Sequence, residues 1–319
     1  MHRPDLSLPN SKQSDAVERV SIVLPTYEPK IEYIGQSIQS VANQTYEHIE
    51  LVIVDSTGLV WLRELGEEYS WITYLYQEPA GLPSAWNAGI DAASGEFVGF
   101  LSDDDYYTKE KIATQVKSLE QGYDIVYTDE YVLDQDGSVT YLSALPVEDS
   151  EHHYVEYFKQ GHGVPHLTVL GRMDCFQAEQ FDERLAVRED PHLWVRLFEQ
   201  YEVMKIDQAL AYKRRREDSA TGDPEMLYEN ELQEIDLLCN EFPELAEYRS
   251  ERERMASYRY GKHLLRIGRT SRSRSIFFDL LRNGMVEIRV IGLLLASLFP
   301  IGNRMVFQGL EKMAERRKR

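Results

Sequence analysis

The chain has 319 residues, of which 43% are hydrophobic and 28% charged. That supports one large folded domain with an appendage and excludes global disorder, while two cysteines, Cys175 and Cys239, exclude a disulfide framework and a four-cysteine zinc site. The net charge of −19 is unevenly spread: residues 1–248 hold 18 Lys+Arg against 48 Asp+Glu, residues 249–319 hold 17 against 6, and so acidic a body excludes general nucleic-acid binding.

Residues 1–18 are polar, without an apolar run that would mark a secretory leader, and read as a flexible lead-in. With no such leader and two unpaired thiols, a cytoplasmic location is expected. Val20-Ser21-Ile22-Val23-Leu24, closed by Pro25, has the composition of a buried strand. Ile34, Ile38 and Val41 stand at helical spacing and predict a helix over 33–43. A second strand follows at Leu51–Val54, ending at Asp55, then a helix over Val60–Tyr69 and a third strand at Ile72–Gln77. A helix over 83–93, a strand at Phe97–Leu101, a helix over Lys109–Glu120 and a strand at Asp124–Leu133 continue the alternation. Such alternation predicts an α/β fold, a mostly parallel sheet with helices on both faces. Ligands of such sheets lie beyond the carboxyl ends of the strands, which singles out Thr26–Glu28, Asp55–Thr57, Gln77–Gly81 and Ser102–Asp105.

Past residue 135 the pattern changes. Asp136-Gly137 signals a hairpin between Tyr131–Leu133 and Val139–Leu142. Leu167–Leu170 reads as a strand and Pro191–Gln200 as a helix, in which Trp194 and Leu197 read as core. From residue 225 onward, helical segments at 225–240, 251–267, 272–282 and 286–299 are punctuated by Gly268 and Gly284. The expected organisation is a lead-in (1–18), an α/β domain (19–221) and a helical, basic appendage (222–319).

The turn after the first strand, Pro25-Thr26-Tyr27-Glu28-Pro29, carries neither a dinucleotide fingerprint nor a P-loop, which disfavours NAD redox and P-loop chemistry. Asp103-Asp104-Asp105 follows an apolar strand. Adjacent carboxylates repel unless a cation sits among them, and a Mg²⁺ or Mn²⁺ there could bridge to a diphosphate; the alternative is a solvated acidic turn. In Arg188-Glu189-Asp190-Pro191, Asp190 fits an N-cap ahead of an N1 proline and also a general base facing a cleft. Asp55 could accept a hydrogen bond from a base imide or ribose hydroxyl, or merely open its loop. Gly81 to Gly89 places small residues where a loop and helix approach a ligand or sheet closely. His152, His153, His162 and His166 form no metal spacing and read as surface or loop histidines.

In this order, Val20–Pro29, Leu51–Thr57, Gly81–Gly89 with Ser94-Gly95-Glu96, Phe100–Tyr107 and Glu189-Asp190 resemble the family 2 glycosyltransferases, which have the GT-A fold; the resemblance spans about residues 19–216. It implies that Pro25, Thr26, Tyr27, Glu28, Asp55, Gly81 and Asn87 line a nucleotide pocket, with Asp103 near the ribose. Asp104, with Asp105, would hold Mn²⁺ or Mg²⁺, and Asp190 would be the base of an inverting displacement. Three positions depart from the family pattern. Ser102 stands where the metal motif often opens on aspartate, and Trp86 where many relatives have arginine. Arg214-Arg215-Arg216 replaces a frequent histidine, and Arg216 there could clamp a diphosphate. The implied activity is metal-dependent, inverting transfer from a nucleotide-diphospho-sugar to a glycan or lipid-linked acceptor, in cell-surface polysaccharide or glycoprotein assembly. A non-catalytic binding protein on the same fold and a nucleotidyltransferase are the alternatives, although Thr26-Tyr27-Glu28-Pro29 lacks the Gly-rich, Arg-containing loop of the latter. The longest apolar run, Val290 to Ile301, is too short to span a bilayer. The basic C-terminus, ending in Met313–Arg319, fits either a self-packed helical unit or peripheral contact with an anionic membrane at its inner face.

Overall fold

A computed structural model describes residues 3–12, 18–147, 152–216 and 223–298. The chain divides into two compact units, Met1–Ser219 and Ala220–Arg319.

The first unit is built on a sheet of nine strands: β1 (Val20–Thr26), β2 (Ile49–Asp55), β3 (Ile72–Tyr76), β4 (Phe97–Phe100), β5 (Tyr106–Tyr107), β6 (Ile125–Leu133), β7 (Val139–Leu142), β8 (Leu170–Arg172) and β9 (Val203–Arg214). Their order is β3-β2-β1-β4-β8-β6-β9-β5, with β7 paired to β6. β1 pairs in parallel with β2 and β4, and β2 with β3, so this half is the expected parallel sheet. All of β1 and β2 is buried, as parallel strands covered on both faces must be. Alternate residues serve the two faces. Ile22, Leu24, Leu51 and Ile53 pack with the apolar stripes of helices α1 (Ile31–Ala42), α2 (Val60–Glu68) and α4 (Lys111–Leu119). On the other face lies α3 (Leu82–Ala92), whose Gly89 is required there: a Cβ would sit 2.2 Å from Val23 Cγ1.

The other half of the sheet is mixed. The three-residue β8 runs antiparallel to both β4 and β6, and β9 runs parallel to β6 but antiparallel to β5. The strand expected at Leu167–Leu170 is instead a 3₁₀ turn, His166–Thr168, followed by β8. Thr168 closes that turn by donating its hydroxyl to Pro165 O at 2.7 Å. β6 and β7 form the hairpin that Asp136-Gly137 predicts, with Gly137 at φ 82°. Helices α5 (His153–Gln160), α6 (Met173–Ala178) and α7 (Glu189–Gln200) complete the unit, and Trp194 and Leu197 are fully buried as expected.

The second unit comprises α8 (Pro224–Glu241), a 3₁₀ turn (Pro243–Tyr248), α9 (Arg249–Arg266), α10 (Thr270–Arg282) and α11 (Ile288–Ser297). Its apolar core joins Leu265, Phe277, Leu280, Met285, Val290 and Leu293. Beside it, fully buried Arg252 pairs with Glu231 and lies 3.5 Å from Glu234, while Arg259 also reaches Glu231. The basic stretch Met313–Arg319 lies outside the described residues.

Candidate active site

The carboxyl ends of β1, β2 and β4 converge because the three strands are parallel and in register, Thr26 opposite Asp55 and Val23 opposite Phe100. Pro25 is buried within β1, paired with Val54, and shapes the strand end. Thr26 is buried and donates its hydroxyl to Asp103 Oδ2 at 2.8 Å. Tyr27, next along, is 61% exposed and free to meet a flat ligand, and Glu28 holds a left-handed φ of 51°.

Asp55 is fully buried at the end of β2. Its Oδ1 accepts from the Thr57 N–H (2.8 Å) and hydroxyl (2.5 Å), and its Oδ2 from the Leu59 N–H and the Tyr74 hydroxyl, both at 3.0 Å. A carboxylate has about four lone-pair sites, and protein donors take them all. Asp55 therefore fixes the Ser56–Gly58 loop. Gly81, at φ 97°, opens α3. Asn87 clamps the Phe181 backbone with both ends of its amide, its side-chain nitrogen donating to Phe181 O and its oxygen accepting from Phe181 N, each at 2.9 Å. Beside it, Trp86 is buried and stacks on His166, with centroids 4.5 Å apart. Burial pushes the His166 imidazole down to about 3. His153 is also interior, against the expectation of a surface histidine: its Nε2 lies 3.1 Å from the Tyr127 hydroxyl.

The acidic triplet forms a tight turn between β4 and β5. Burial pushes Asp103 up to about 6; the Thr26 hydroxyl opposes this and the neighbouring Asp104 charge adds to it. Asp104 is partly exposed, and its Oδ2 pairs with Arg216 Nη1 at 3.1 Å. Asp105 is buried, and its Oδ1 accepts from the Arg214 N–H at 2.7 Å; burial, then Asp104, raise it well above the usual carboxylate range. Arg214 adds a bond from Nε to Asp104 O (3.1 Å) and one from Nη2 to Gln36 Oε1 (2.6 Å), and covers the Tyr33 ring at 4.1 Å. The end of β9 thus straps the triplet onto α1.

Asp190 stands in the first turn of α7 and does not cap it. The N-cap is Arg188, in left-handed conformation at φ 74°, and Glu189 opens the helix. The sequence misplaces the cap because Arg188, a non-glycine residue with positive φ, carries no sign of that conformation. Arg188 Nη2 donates to Gly161 O at 2.6 Å, which ties the turn down. Glu189 is buried and raised well above its ordinary value by burial and then by Asp190, whereas Asp190 is half-buried at a position where the helix dipole favours negative side chains.

Lys213 of β9, unmarked in sequence, links these parts. Lost hydration opposes its charge, but Glu130, Asp105, Asp190 and Asp104 outweigh this and hold the ammonium above its ordinary value. By surface area Lys213 is exposed, so its ammonium stays in reach of solvent while it feels these four carboxylates. The triplet and Asp190, 85 residues apart, therefore belong to one electrostatic neighbourhood.

Among the described residues no group of three or more His, Cys, Asp or Glu forms a preformed metal cage. The donors present are carboxylate oxygens of Asp103 and Asp104; burial first, and then the Asp104 charge, raises Asp103. That set fits a hard divalent ion held by one or two carboxylates and completed by substrate phosphate oxygens and water.

Residues 21–177 match the family model described as glycosyl transferase family 2. An uncharacterized glycosyltransferase of Rickettsia bellii (strain RML369-C) is 28% identical over 207 residues, which is 64% of this chain and 30% of that protein. The putative teichuronic acid biosynthesis glycosyltransferase TuaG of Bacillus subtilis (strain 168) is 30% identical over 126 residues, 37% of this chain and 49% of that one. The chain spans about a third of the length of the first curated relatives it matches. Among solved structures, S. aureus TarS 1-349 in complex with UDP-GlcNAc aligns with TM-score 0.56 at 19% identity, over 88% of this chain and 79% of that chain. Mannosyltransferase PcManGT from Pyrobaculum calidifontis, in complex with GDP-Man and Mn²⁺, aligns with TM-score 0.56 at 13% identity, over 92% and 83%. At such identities these neighbours establish the fold: a curled, mixed α/β sheet of GT-A type with C-terminal helices.

Proposed function

From the premise that this chain belongs to glycosyl transferase family 2, we propose that it moves a sugar from a nucleotide-diphospho-sugar to an acceptor hydroxyl, with inversion. The observation that carries this reading is the triplet turn, braced by Thr26 on one side and by Arg214 and Arg216 on the other, sharing Lys213 with Asp190.

In this reading the base and ribose lie over the ends of β1 and β2, against Tyr27 and the loop that Asp55 fixes, with the Thr26-held Asp103 reaching the ribose. Asp55 acts from behind, because its own acceptor sites are filled. Asn87 likewise supports the pocket through Phe181. Asp104 would hold Mn²⁺ or Mg²⁺, with Asp103 in place of the Asp105 that the resemblance implies, because Asp105 is buried with its Oδ1 engaged by the Arg214 N–H and serves as the strut that fixes the turn to β9. The ion, when bound, offsets charge developing on the leaving nucleoside diphosphate. Arg216, now on Asp104, offers a planar fork for the same diphosphate. Asp190 takes the proton of the attacking hydroxyl while the new C–O bond forms and the bond to the diphosphate oxygen breaks. The acceptor class is a glycan or lipid-linked saccharide, as in cell-surface polysaccharide or glycoprotein assembly; the name of the B. subtilis relative supports that class. The transferase part is assigned to residues 19–221 and the helical appendage to 222–319.

A thermal-shift panel of UDP, GDP, CMP and dTDP, each with and without Mn²⁺ or Mg²⁺, tests the reading. One nucleotide is expected to raise Tm only with metal, and Asp104→Ala to abolish the shift. No shift with any nucleotide would overturn the donor assignment.

A further inference from the structure

Helix α11 carries apolar side chains on two faces. Val290, Leu293 and Ala296 pack with Leu265, Phe277 and Leu280 of α9 and α10. The opposite stripe is Ile288, Ile291, Leu295 and, one residue past the helix, Leu298, spaced i, i+3, i+7 and i+10, and all four are exposed. Ile288 is 85% and Leu295 53% accessible, and Val286 just before the helix is 70% accessible. From Val290 to Leu298 no residue is charged, and a Cβ added to Gly292 would meet no atom within 4 Å. A surface helix ordinarily turns a polar face to water, and one that is apolar all round requires cover.

We propose that the outer stripe of α11 seats in the interfacial layer of an anionic lipid bilayer. Charge decides between occupants. Residues 249–319 carry a balance of +11 and residues 1–248 one of −30, so an anionic leaflet attracts the segment containing α11 and repels the remainder. A second copy docking two-fold across the same stripe would set +11 against +11, a repulsive pairing. The ten residues of α11 extend about 15 Å, half the hydrocarbon thickness, so the helix lies in the interface plane and does not cross it. No described helix is long and apolar enough to cross a membrane. Glu287, the acidic residue nearest the stripe, is neutralised by Arg289. The 21 residues after Leu298 add six basic and two acidic side chains, four of the basic ones in the last four positions, which extends the same charge preference.

The docking requires no sugar donor, so its failure is distinguishable from failure of the transferase reading. The full chain is floated at 0.15 M salt with vesicles of phosphatidylglycerol and phosphatidylcholine in equal parts, and with phosphatidylcholine alone. Flotation with the anionic vesicles alone is expected. Ile288→Glu combined with Leu295→Glu changes only exposed positions, and should lower the bound fraction about tenfold while circular dichroism and the nucleotide-induced Tm shift stay unchanged. Absence of flotation, or flotation that the double variant does not reduce, overturns the proposal. So does a concentration-dependent dimer that the double variant dissociates, because a second copy then covers the stripe.

Discussion

Asp190 and Glu189 are adjacent carboxylates with opposite environments. Glu189 is buried, and burial reinforced by Asp190 favours its protonated form; Asp190 is half-buried in the first turn of α7 and shares Lys213 with the triplet. A base must be reachable, so in the proposed reaction the half-buried Asp190, not the buried Glu189, is the member of the pair placed for proton abstraction. Asp190→Asn should lower kcat by 10²-fold or more and leave the nucleotide-induced Tm shift in place. Equal turnover in that variant would remove Asp190 from the base role. A different single residue bears on stability. Lys111 is fully buried, its ammonium has no hydrogen-bond partner, it lies 4.2 Å from the Tyr107 ring centroid, and burial lowers it from 10.5 to about 7. Between pH 7 and 10.5 the unfolded chain therefore binds the extra proton, and stability rises with pH across that window. Below pH 7 both states are protonated and the full penalty of a buried charge remains. Lys111→Met should stabilise the fold at pH 6–7 by about 1–3 kcal/mol and flatten the pH dependence, measured by urea unfolding at pH 6 and pH 9. An unchanged pH slope would mean that Lys111 finds water in solution.

At the scale of elements, the parallel half of the sheet is legible because its signals are local: Val20–Leu24 and Leu51–Val54 are unbroken apolar runs, and Gly89 marks where α3 must approach Val23. The mixed half is not legible for reasons visible in its strands. β5 is two residues long and β8 three, below any periodicity, and both exist only because longer strands pair with them. β9 has twelve residues, but its exposed Asp207 and Gln208 and two register shifts against β6 interrupt alternation. Lys213 was hidden for the same reason, since its importance comes from what β9 is laid beside. The ordered motifs single out the triplet and the Glu-Asp pair as candidates, because each sits at the end of a readable element. Which oxygens are already engaged, as on Asp55 and Asn87, depends on Thr57, Leu59, Tyr74 and Phe181, and only the fold assembles those donors.

For the whole molecule, charge sets opposing responses to salt in its two parts. Residues 1–248 carry 30 more acidic than basic side chains, and ion pairs such as Arg3–Glu68 and Arg196–Glu179 engage only part of that acidity. Self-repulsion of this size destabilises the compact state, and its range contracts from about 10 Å at 0.1 M salt to about 3 Å at 1 M. Arginine also outnumbers lysine, 24 to 11, a composition consistent with work at high ionic strength. Screening weakens the exposed ion pairs too, but such pairs contribute at most about 1 kcal/mol each and many contribute nothing. The repulsion of thirty uncompensated charges should therefore dominate, and Tm should rise by several degrees between 0.1 and 2 M NaCl. NaCl is the appropriate salt because sulfate would stabilise any apolar core by exclusion from the protein surface. Attraction of the +11 segment to an anionic bilayer must weaken over the same range, so stability and vesicle binding should move in opposite directions along one titration. A Tm that falls with NaCl would mean that the ion pairs, among them the buried Arg252–Glu231 group, outweigh the net charge.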